Sequence, residues 1–336
     1  MTYSFMPDIN VSKELSEKVR IRLKDAYVDM LGQLSDYKPD IFSDAVTEYF
    51  YALDAEKFGG LHCFLYHYSI SLAGDSHFDE IARLMRQFSD GRYDSLPRYL
   101  SAAAVDGRLL REILDQIKLG TTHDQIRLEP LDTALEAELV AIAEHGVARL
   151  VRAAPELATE NALMVKSILF FDSVGDTSER ALSFTGDKLQ SMVLINGTHE
   201  NNWIFVLDKI VHEAAHTYLY GINLDEEMVL NTREFKYASP LRRDERDMLG
   251  IYHATFVIQR LILAFTRILD VGGLLSEEED VIQALLRYYF SRVDDGYRTA
   301  LEHGILSPLA RKLIDEGNEE VSRASALLGI TILTEH

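Results

Sequence analysis

Cysteine is almost absent from this sequence. Cys63 is the only one among 336 residues, so the chain can form no internal disulfide and no metal cluster held by several thiolates. An excess of basic residues is also lacking, because 34 lysines and arginines stand against 54 aspartates and glutamates, for a formal net charge of −20. Contacts to nucleic-acid phosphates need clustered lysine and arginine, so this balance argues against general nucleic-acid binding.

Long apolar runs are absent as well. No stretch reaches the roughly 18 consecutive apolar residues that would span a bilayer. The first residues, MTYSFMPDIN, contain no basic region followed by an apolar run, which is what a secretory signal would show. We therefore expect a cytoplasmic protein that binds neither membrane nor nucleic acid. A homodimer is compatible with the sequence.

Helical periodicity dominates the first third of the chain. Apolar residues recur there at spacings of three and four, beginning with Leu15, Val19, Leu23, Tyr27, Met30 and Leu34. Similar patterns continue to about residue 118 and predict a series of helices. A polar stretch at 120–133 interrupts the pattern and indicates a boundary. We therefore divide the chain into an N-terminal helical region, 1–125, and a second region, 126–336.

The second region mixes helices with short strands. One helix is predicted over 132–151, and Pro155 prevents its continuation. Three apolar or alternating segments separated by glycine and aspartate predict a small antiparallel sheet, at 164–171, 181–185 and 192–196. Helical periodicity then returns and predicts helices at 203–220, 244–270, 276–300 and 307–328. The predicted fold class is mainly helical α+β, in which the C-terminal helices carry the motif described next.

The segment VHEAAH, at 211–216, has the pattern of a metal-binding helix. Residues i and i+4 of a helix are about 400° apart in rotation, so His212 and His216 project from nearly the same face, one turn apart. Two neutral imidazoles in this arrangement can chelate a borderline divalent metal such as zinc or iron. Glu213 would face the open metal positions as a base or a hydrogen-bond acceptor. Gly221 is a candidate C-cap for this helix.

Two imidazoles leave the metal site incomplete, so a third protein ligand is needed. The metzincin class is excluded, because its glycine and third histidine are replaced here by Leu219 and Ile222. Three downstream carboxylates lie in a polar connecting stretch: Glu226, Glu227 and Glu234. We favour His253 instead, because it lies on a second long apolar helix whose start is marked by Asp244 and Asp247.

Arg246 is a candidate for binding a dicarboxylate ligand of the metal. It precedes His253 by seven residues, about 700° of helical rotation, so a continuous helix would place both on one face roughly 10 Å apart along the axis. A guanidinium binds carboxylates bidentately, so Arg246 could anchor the far end of a dicarboxylate that chelates the metal. Arg242 falls on the same stripe if the helix begins that early. The alternative role for Arg246 is a surface or capping salt bridge.

These separated motifs resemble a known family. HEAAH followed by SPLRRDERDMLGIYHATFV is similar to the HExxH-motif peptide-modification proteins of bacterial gene clusters for ribosomally made, modified peptides. The family pattern is HExxH, a Ser-Pro-Leu-Arg-type segment, an Arg-Pro pair, a glycine and a histidine before an apolar helix. The matching residues are His212, Glu213, His216, Ser239, Pro240, Leu241, Arg246, Gly250 and His253. Asp247 departs from the family's proline, and the resemblance covers about residues 160–270.

The resemblance implies an iron(II)- and α-ketoglutarate-dependent oxygenase that hydroxylates side chains of a precursor peptide. Three histidine ligands on one side of iron would leave two positions for the keto acid and one for oxygen. Arg246, with Arg242 beside it, would hold the distal carboxylate of α-ketoglutarate. Glu213 would orient ligands or substrate rather than activate a water.

Two other functions remain open from the residues alone. In a zinc peptidase, Glu213 would be the general base for a metal-bound water. In a non-catalytic peptide-binding protein, the metal would be structural, with four protein ligands and no open position. The metal, the cosubstrate and the number of ligands distinguish these functions.

Overall fold

The computed structural model of the protein describes residues 2–42, 44–94, 96–119, 127–174, 182–241 and 244–330. Over these residues the fold is mainly helical with one small sheet, which confirms the predicted α+β class. The helices are α1 (Ile9–Tyr37), α2 (Asp44–Ala52), α3 (Gly60–Gly74), α4 (Phe78–Ser89), α5 (Gly107–Leu119), α6 (Thr133–Ala153), α7 (Pro155–Met164), α8 (Trp203–Asn223), α9 (Met248–Val271), α10 (Ser276–His303) and α11 (Pro308–Leu328). The strands are β1 (Arg127–Pro130), β2 (Ser167–Val174), β3 (Ser183–Phe184) and β4 (Met192–Asn196).

The sheet has the strand order β1-β2-β4-β3 and is mixed rather than antiparallel. β2 pairs antiparallel with β1 but parallel with β4, and β3 pairs antiparallel with β4. The predicted antiparallel sheet is therefore wrong for the central pair. The cause is burial on both faces: residues 168–171 and 192–195 form continuous apolar runs, each residue at most 1% exposed. Such runs are typical of parallel strands.

The boundary predicted at residue 125 lies outside the described residues, but the compact units of the chain differ from the predicted division. The sheet unit comprises Glu14–Glu136 and Val165–Thr198. The HExxH unit comprises Met1–Lys13, Ala137–Met164 and His199–His336. The strands thus belong with the N-terminal helices rather than with the helix that carries the HExxH motif. Strand β1, which falls in the stretch interpreted as a polar boundary, belongs to the same unit.

Aromatic side chains occupy the core of the sheet unit. The ring of Tyr27 on α1 stacks on Phe50 of α2 with centroids 5.0 Å apart. Its hydroxyl donates a hydrogen bond of 2.8 Å to the carbonyl oxygen of His62 on α3. Alternate strand residues join the same apolar cluster, namely Leu169, Phe171, Met192 and Leu194. Because side chains alternate between the faces of a strand, this spacing of two places one face of the sheet against the helical core.

Helix α3 makes a close approach to β4 at Gly60. A Cβ added to Gly60 would overlap the Met192 side chain and would lie 2.8 Å from its backbone nitrogen and 2.9 Å from its Cα. The strand backbone cannot move away without disturbing its parallel ladder. We expect Gly60→Ala to destabilise the protein by about 1–3 kcal/mol, as overpacking does in other cores.

Urea unfolding followed by far-ultraviolet circular dichroism tests this prediction. Gly74→Ala is the matched control, because Gly74 ends the same helix and a Cβ there would meet nothing within 4 Å. The control should be neutral or slightly stabilising, since alanine is the better helix former. Equal unfolding midpoints for the two variants would contradict the close-packing argument.

The HExxH unit is organised around α9, which packs against α8, α10 and α11. By length and mean hydropathy Met248–Val271 could span a membrane, although the sequence lacks an unbroken apolar run of that length. The most apolar part of α9 is 89% buried inside the protein, as in the core helix of a soluble protein. Its apolar character is therefore explained by the helices that surround it.

The structure confirms one of two predicted helix boundaries in the HExxH unit and contradicts the other. Helix α6 ends at Ala153 and Pro155 begins α7, so the proline interrupts one helix and starts the next. Gly221, in contrast, lies inside α8, and the predicted C-cap there is wrong. Gly221 and Ile222 are both buried, so packing carries the helix two residues further, to Asn223.

Candidate metal centre

Helix α8 begins with a capped first turn and carries the HExxH motif in its second half. The side chain of Asn202 accepts a hydrogen bond of 2.8 Å from the backbone nitrogen of Phe205, which satisfies one of the free donors at the helix start. Two turns later the rings of His212 and His216 lie on one face, with centroids 5.0 Å apart. The i, i+4 spacing thus brings the two imidazoles together as the sequence predicts.

The histidines lie on the open side of an otherwise buried helix. Between residues 203 and 222, all of which the structure describes, four residues keep partial exposure: Lys209, His212, His216 and Tyr220. They follow one another at spacings of three or four and so form a single stripe along α8. A small molecule can therefore reach the two imidazoles, which a metal site closed by protein on every side would not allow.

Glu213 lies beside the pair and is 3% exposed. The ligand atoms of His212, Glu213 and His216 all lie within 4.8 Å of one another, so the three residues could hold a metal ion. The carboxylate comes from the buried side of the helix, next to the open stripe. This position suits a group that orients a ligand or accepts a proton at the metal.

His253, on α9, extends this group through His216. The Nδ1 atoms of His216 and His253 are 3.1 Å apart, and the two rings stack with centroids separated by 5.4 Å. Burial lowers the pKa of His253 to about 4, although the negative charge of Asp247 opposes the shift. The imidazole is therefore neutral at physiological pH and has the lone pair that a metal ligand needs.

The separation of the two nitrogens is compatible with their binding one metal. Nitrogens bound at about 2.1 Å to one metal lie about 3.0 Å apart when the bonds meet at a right angle and about 3.4 Å apart in a tetrahedron. The observed 3.1 Å between Nδ1 of His216 and Nδ1 of His253 lies within this range. The same separation also suits a hydrogen bond in which one imidazole donates to the other.

Arg246 lies before α9 rather than on it. The side chain of Asp247 accepts a hydrogen bond of 3.0 Å from the backbone nitrogen of Gly250, so this aspartate caps the helix and Met248 is its first residue. The backbone of Arg246 pairs instead with Tyr237 in an antiparallel bridge, through hydrogen bonds of 2.7 and 2.8 Å. The prediction that Arg246 and His253 share one face of a continuous helix is therefore wrong.

The side chain of Arg246 nevertheless packs on the first turn of α9. A Cβ at Gly250 would be 3.1 Å from the Cβ of Arg246, so the glycine allows this close approach. Nη2 of Arg246 lies 2.7 Å from a carboxylate oxygen of Asp244, whose side chain is 43% exposed. Nε of Arg246 is buried and has no acceptor among the described residues. The guanidinium therefore has a donor that a carboxylate ligand could engage.

The remaining candidate residues are Arg242 and three glutamates of the segment that connects α8 to α9. Arg242 lies outside the described residues. The three glutamates considered as third ligands, Glu226, Glu227 and Glu234, are all exposed in the segment that connects α8 to α9. Exposed carboxylates in a connecting segment are poorly held for metal binding, whereas His253 is fixed by a buried helix.

Two polar groups near the motif are not predicted by the sequence analysis. The ring of Tyr220 lies 5.1 Å from that of His253, centroid to centroid. Asp208 is 2% exposed, its Oδ2 lies 2.6 Å from Nζ of Lys209, and its carboxylate accepts a hydrogen bond from the hydroxyl of Tyr289. Both residues continue the four-residue spacing of His212 and His216, at i−4 and i+4. That spacing is the sequence signal by which they could have been found.

Comparisons with known proteins give no match, either among protein-family models or among curated proteins. The similarity to the HExxH-motif peptide-modification family therefore rests on the separated motifs alone and stays a prediction. A proposal about function therefore depends on the geometry of the site.

Proposed function

We propose that this protein is an iron(II)- and α-ketoglutarate-dependent oxygenase that hydroxylates a side chain of a ribosomally made precursor peptide. The proposal rests chiefly on the contact between His216 and His253, which adds a third imidazole to the HExxH pair on the open stripe of α8. Three neutral ligands on one side of a metal leave the opposite side for small molecules. This arrangement supports the proposal of a catalytic metal rather than a structural one.

The residues of the site would have three separate roles. His212, His216 and His253 would hold the metal, and bound iron(II) with α-ketoglutarate would supply the oxidising chemistry for hydroxylation. Glu213, buried beside them, would fix the orientation of a ligand or of the substrate. Asp208 and Tyr289, hydrogen-bonded to each other one turn before His212, would hold that part of α8 in place.

Arg246 would bind the distal carboxylate of α-ketoglutarate. Its stem packs against Gly250, which precedes His253 by one turn on the same side of α9. Its buried Nε has no acceptor among the residues that the structure describes, so a carboxylate could use this donor together with the guanidinium edge. Asp244, the present partner of Nη2, is exposed and can be replaced by a ligand at little cost.

The segment that connects α8 to α9 offers a surface for a peptide substrate. It forms isolated bridges from Val229 to Leu306 and from Tyr237 to Arg246, so its backbone is partly extended. Leu230 and Phe235 of this segment are at least half exposed, as is Ile305, whose carbonyl oxygen accepts a hydrogen bond from the backbone nitrogen of Leu230. Apolar side chains on extended backbone favour recognition of an extended peptide. A precursor peptide is made in the cytoplasm, and we place the protein there as well.

The proposal is tested by anaerobic reconstitution of the purified protein with iron(II) and α-ketoglutarate. We expect a visible charge-transfer band that needs both components, followed by consumption of α-ketoglutarate when oxygen is admitted. The His212→Ala/His216→Ala double variant is the control and should give neither signal. If the wild-type protein binds iron(II) but forms no band and consumes no α-ketoglutarate, the oxygenase proposal is wrong.

Replacing Arg246 with alanine should weaken α-ketoglutarate binding by about tenfold or more, because a charged hydrogen bond to the distal carboxylate is lost. Iron(II) affinity should change little, since Arg246 is not a proposed ligand. Titration of the charge-transfer band measures both quantities.

Arg233→Ala is the matched control for this prediction, because Arg233 is an exposed arginine of the same connecting segment. It should leave both affinities unchanged, and Arg246→Lys should restore only part of the α-ketoglutarate affinity. An unchanged affinity in Arg246→Ala would remove this arginine from the cosubstrate site.

A zinc peptidase is the second candidate, favoured by the compact group of His212, Glu213 and His216. In that enzyme Glu213 would be the base for a metal-bound water, and zinc would suffice without a cosubstrate. Zinc-dependent cleavage of a peptide that is abolished by Glu213→Gln and indifferent to α-ketoglutarate would establish this alternative. The oxygenase predicts no cleavage under the same conditions.

A further inference from the structure

Three basic side chains of the sheet unit form no ion pair with an acidic side chain of the residues that the structure describes. Arg20 on α1 is only 8% exposed, and Arg98 and Lys166 are half-buried. Nε of Arg20 and Nε of Arg98 are both buried and have no acceptor in the described part of the chain. Arg20 does donate a hydrogen bond of 2.9 Å from Nη1 to the hydroxyl of Ser16, a neutral group.

Backbone contacts bring these three positions to one region. Lys24, one turn beyond Arg20 on α1, donates a hydrogen bond of 2.7 Å to the carbonyl oxygen of Leu53. A few residues later Gly59 approaches Lys166, such that a Cβ on this glycine would lie 3.9 Å from the Cβ of Lys166. The region thus lies where α1, the segment 53–59 and the start of β2 meet.

Arg98 reaches the same region through β2. Its carbonyl oxygen accepts a hydrogen bond of 2.7 Å from the backbone nitrogen of Ile168, two residues beyond Lys166. Burial lowers the pKa of Lys166, and the positive charges of Arg20 and Arg98 lower it further, whereas Glu56 acts in the opposite direction. Arg20 and Arg98 therefore both lie within electrostatic range of Lys166.

Burying like charges without a counter-ion is unfavourable, and each unsatisfied guanidinium donor adds to the cost. The chain as a whole has a large excess of acidic residues, yet among the described residues only one exposed carboxylate, that of Glu56, acts on Lys166 beside the two arginines. We propose that Arg20, Arg98 and Lys166 form a binding site for a phosphate-type dianion, either free phosphate or the phosphoryl group of a small phosphomonoester.

The choice of ligand follows from charge and shape. Three positive charges and one carboxylate leave a surplus that a dianion would neutralise. Guanidinium groups present planar, divergent donors that match the oxygens of phosphate, and an ammonium group adds a point charge. This site lies in the sheet unit and uses none of the residues of the proposed metal centre, so it stands independently of the oxygenase proposal.

Isothermal titration calorimetry of the full-length, metal-free protein with inorganic phosphate at constant ionic strength tests the site. A titration with sodium chloride in place of phosphate is the reference. We expect one phosphate per chain with a Kd on the order of 1 mM or tighter. Lys166→Met and Arg98→Gln should each weaken binding by about tenfold or more. Both residues are half-buried, so these variants should fold, which circular dichroism checks; Arg20 is left intact because its burial makes replacement riskier.

Arg92→Gln is the matched control, because Arg92 is an exposed arginine of the same unit and should leave binding unchanged. Phenyl phosphate distinguishes the source of the ligand: comparable binding assigns the site to phosphomonoesters, and binding of inorganic phosphate alone assigns it to the free ion. No binding at about 10 mM phosphate would overturn the proposal. Binding that neither Lys166→Met nor Arg98→Gln weakens would overturn it too.

Discussion

Replacing His253 with alanine should lower the iron(II) affinity of the protein by at least about tenfold while the protein remains folded. Loss of one of three imidazole ligands removes a metal–nitrogen bond. The carboxylates of the connecting segment are exposed and lie on a different element. His212→Ala and His216→Ala should have effects of the same size, because the three imidazoles act as one set of ligands.

The measurement is the metal content after reconstitution with iron(II) and gel filtration. His62→Ala is the matched control, because His62 is also a buried helical histidine, but lies in the sheet unit outside the metal centre. That variant should lose stability, as any large-to-small replacement in a core does, yet bind iron(II) fully. Full iron occupancy in His253→Ala would show that the third ligand has been assigned wrongly.

The histidines of the site are predictable from sequence because their signal is local. The spacing of His212 and His216 fixes their common face once the segment is helical, and His253 stands out as a titratable group in an apolar helix. The position of Arg246 is not predictable in the same way. Both Asp244 and Asp247 can cap a helix, and only the hydrogen bond from Gly250 shows that the second one does.

The sheet illustrates the opposite case. Each strand of the central pair is visible as an apolar run, but the sequence between them does not reveal whether they pair parallel or antiparallel. That choice depends on burial of both faces, which is a property of the assembled unit. The division into units is hidden for the same reason, since residues 165–198 join helices that are distant in sequence.

Arg260 on α9 is another feature that the sequence pattern does not predict. It is 1% exposed within the HExxH unit, and its Nη1 lies 2.8 Å from a carboxylate oxygen of Glu160, which is almost as deeply buried. The rings of Phe5, Tyr218 and Phe256 surround the guanidinium at 4.9 to 5.2 Å. The sequence pattern would predict that an arginine in an apolar helix exposes its charged group to solvent. Here, however, aromatic faces and one carboxylate enclose the guanidinium.

Breaking this pair from either side should destabilise the HExxH unit by about 3–5 kcal/mol, because the remaining charge stays buried without its partner. Glu160→Gln leaves the guanidinium of Arg260 without its charged partner, and Arg260→Met leaves the carboxylate of Glu160 without its charged partner. The double variant Glu160→Leu/Arg260→Met should recover most of the loss, since an apolar pair of similar volume has no charge to desolvate. Urea unfolding followed by the fluorescence of Trp203, the only tryptophan, reports on this unit directly.

The pH dependence distinguishes the two single variants. Burial already raises the pKa of Glu160, and the positive charge of Arg260 opposes that shift. In Arg260→Met the pKa should rise further, so the folded state takes up a proton more readily than the unfolded state, and stability falls as pH rises. The loss of stability of Arg260→Met relative to wild type should therefore shrink from neutral to mildly acidic pH, whereas that of Glu160→Gln should not, because glutamine does not titrate.

Single variants that each lower the free energy of unfolding by less than about 1 kcal/mol would show that the aromatic faces, rather than the ion pair, keep this charge inside the core.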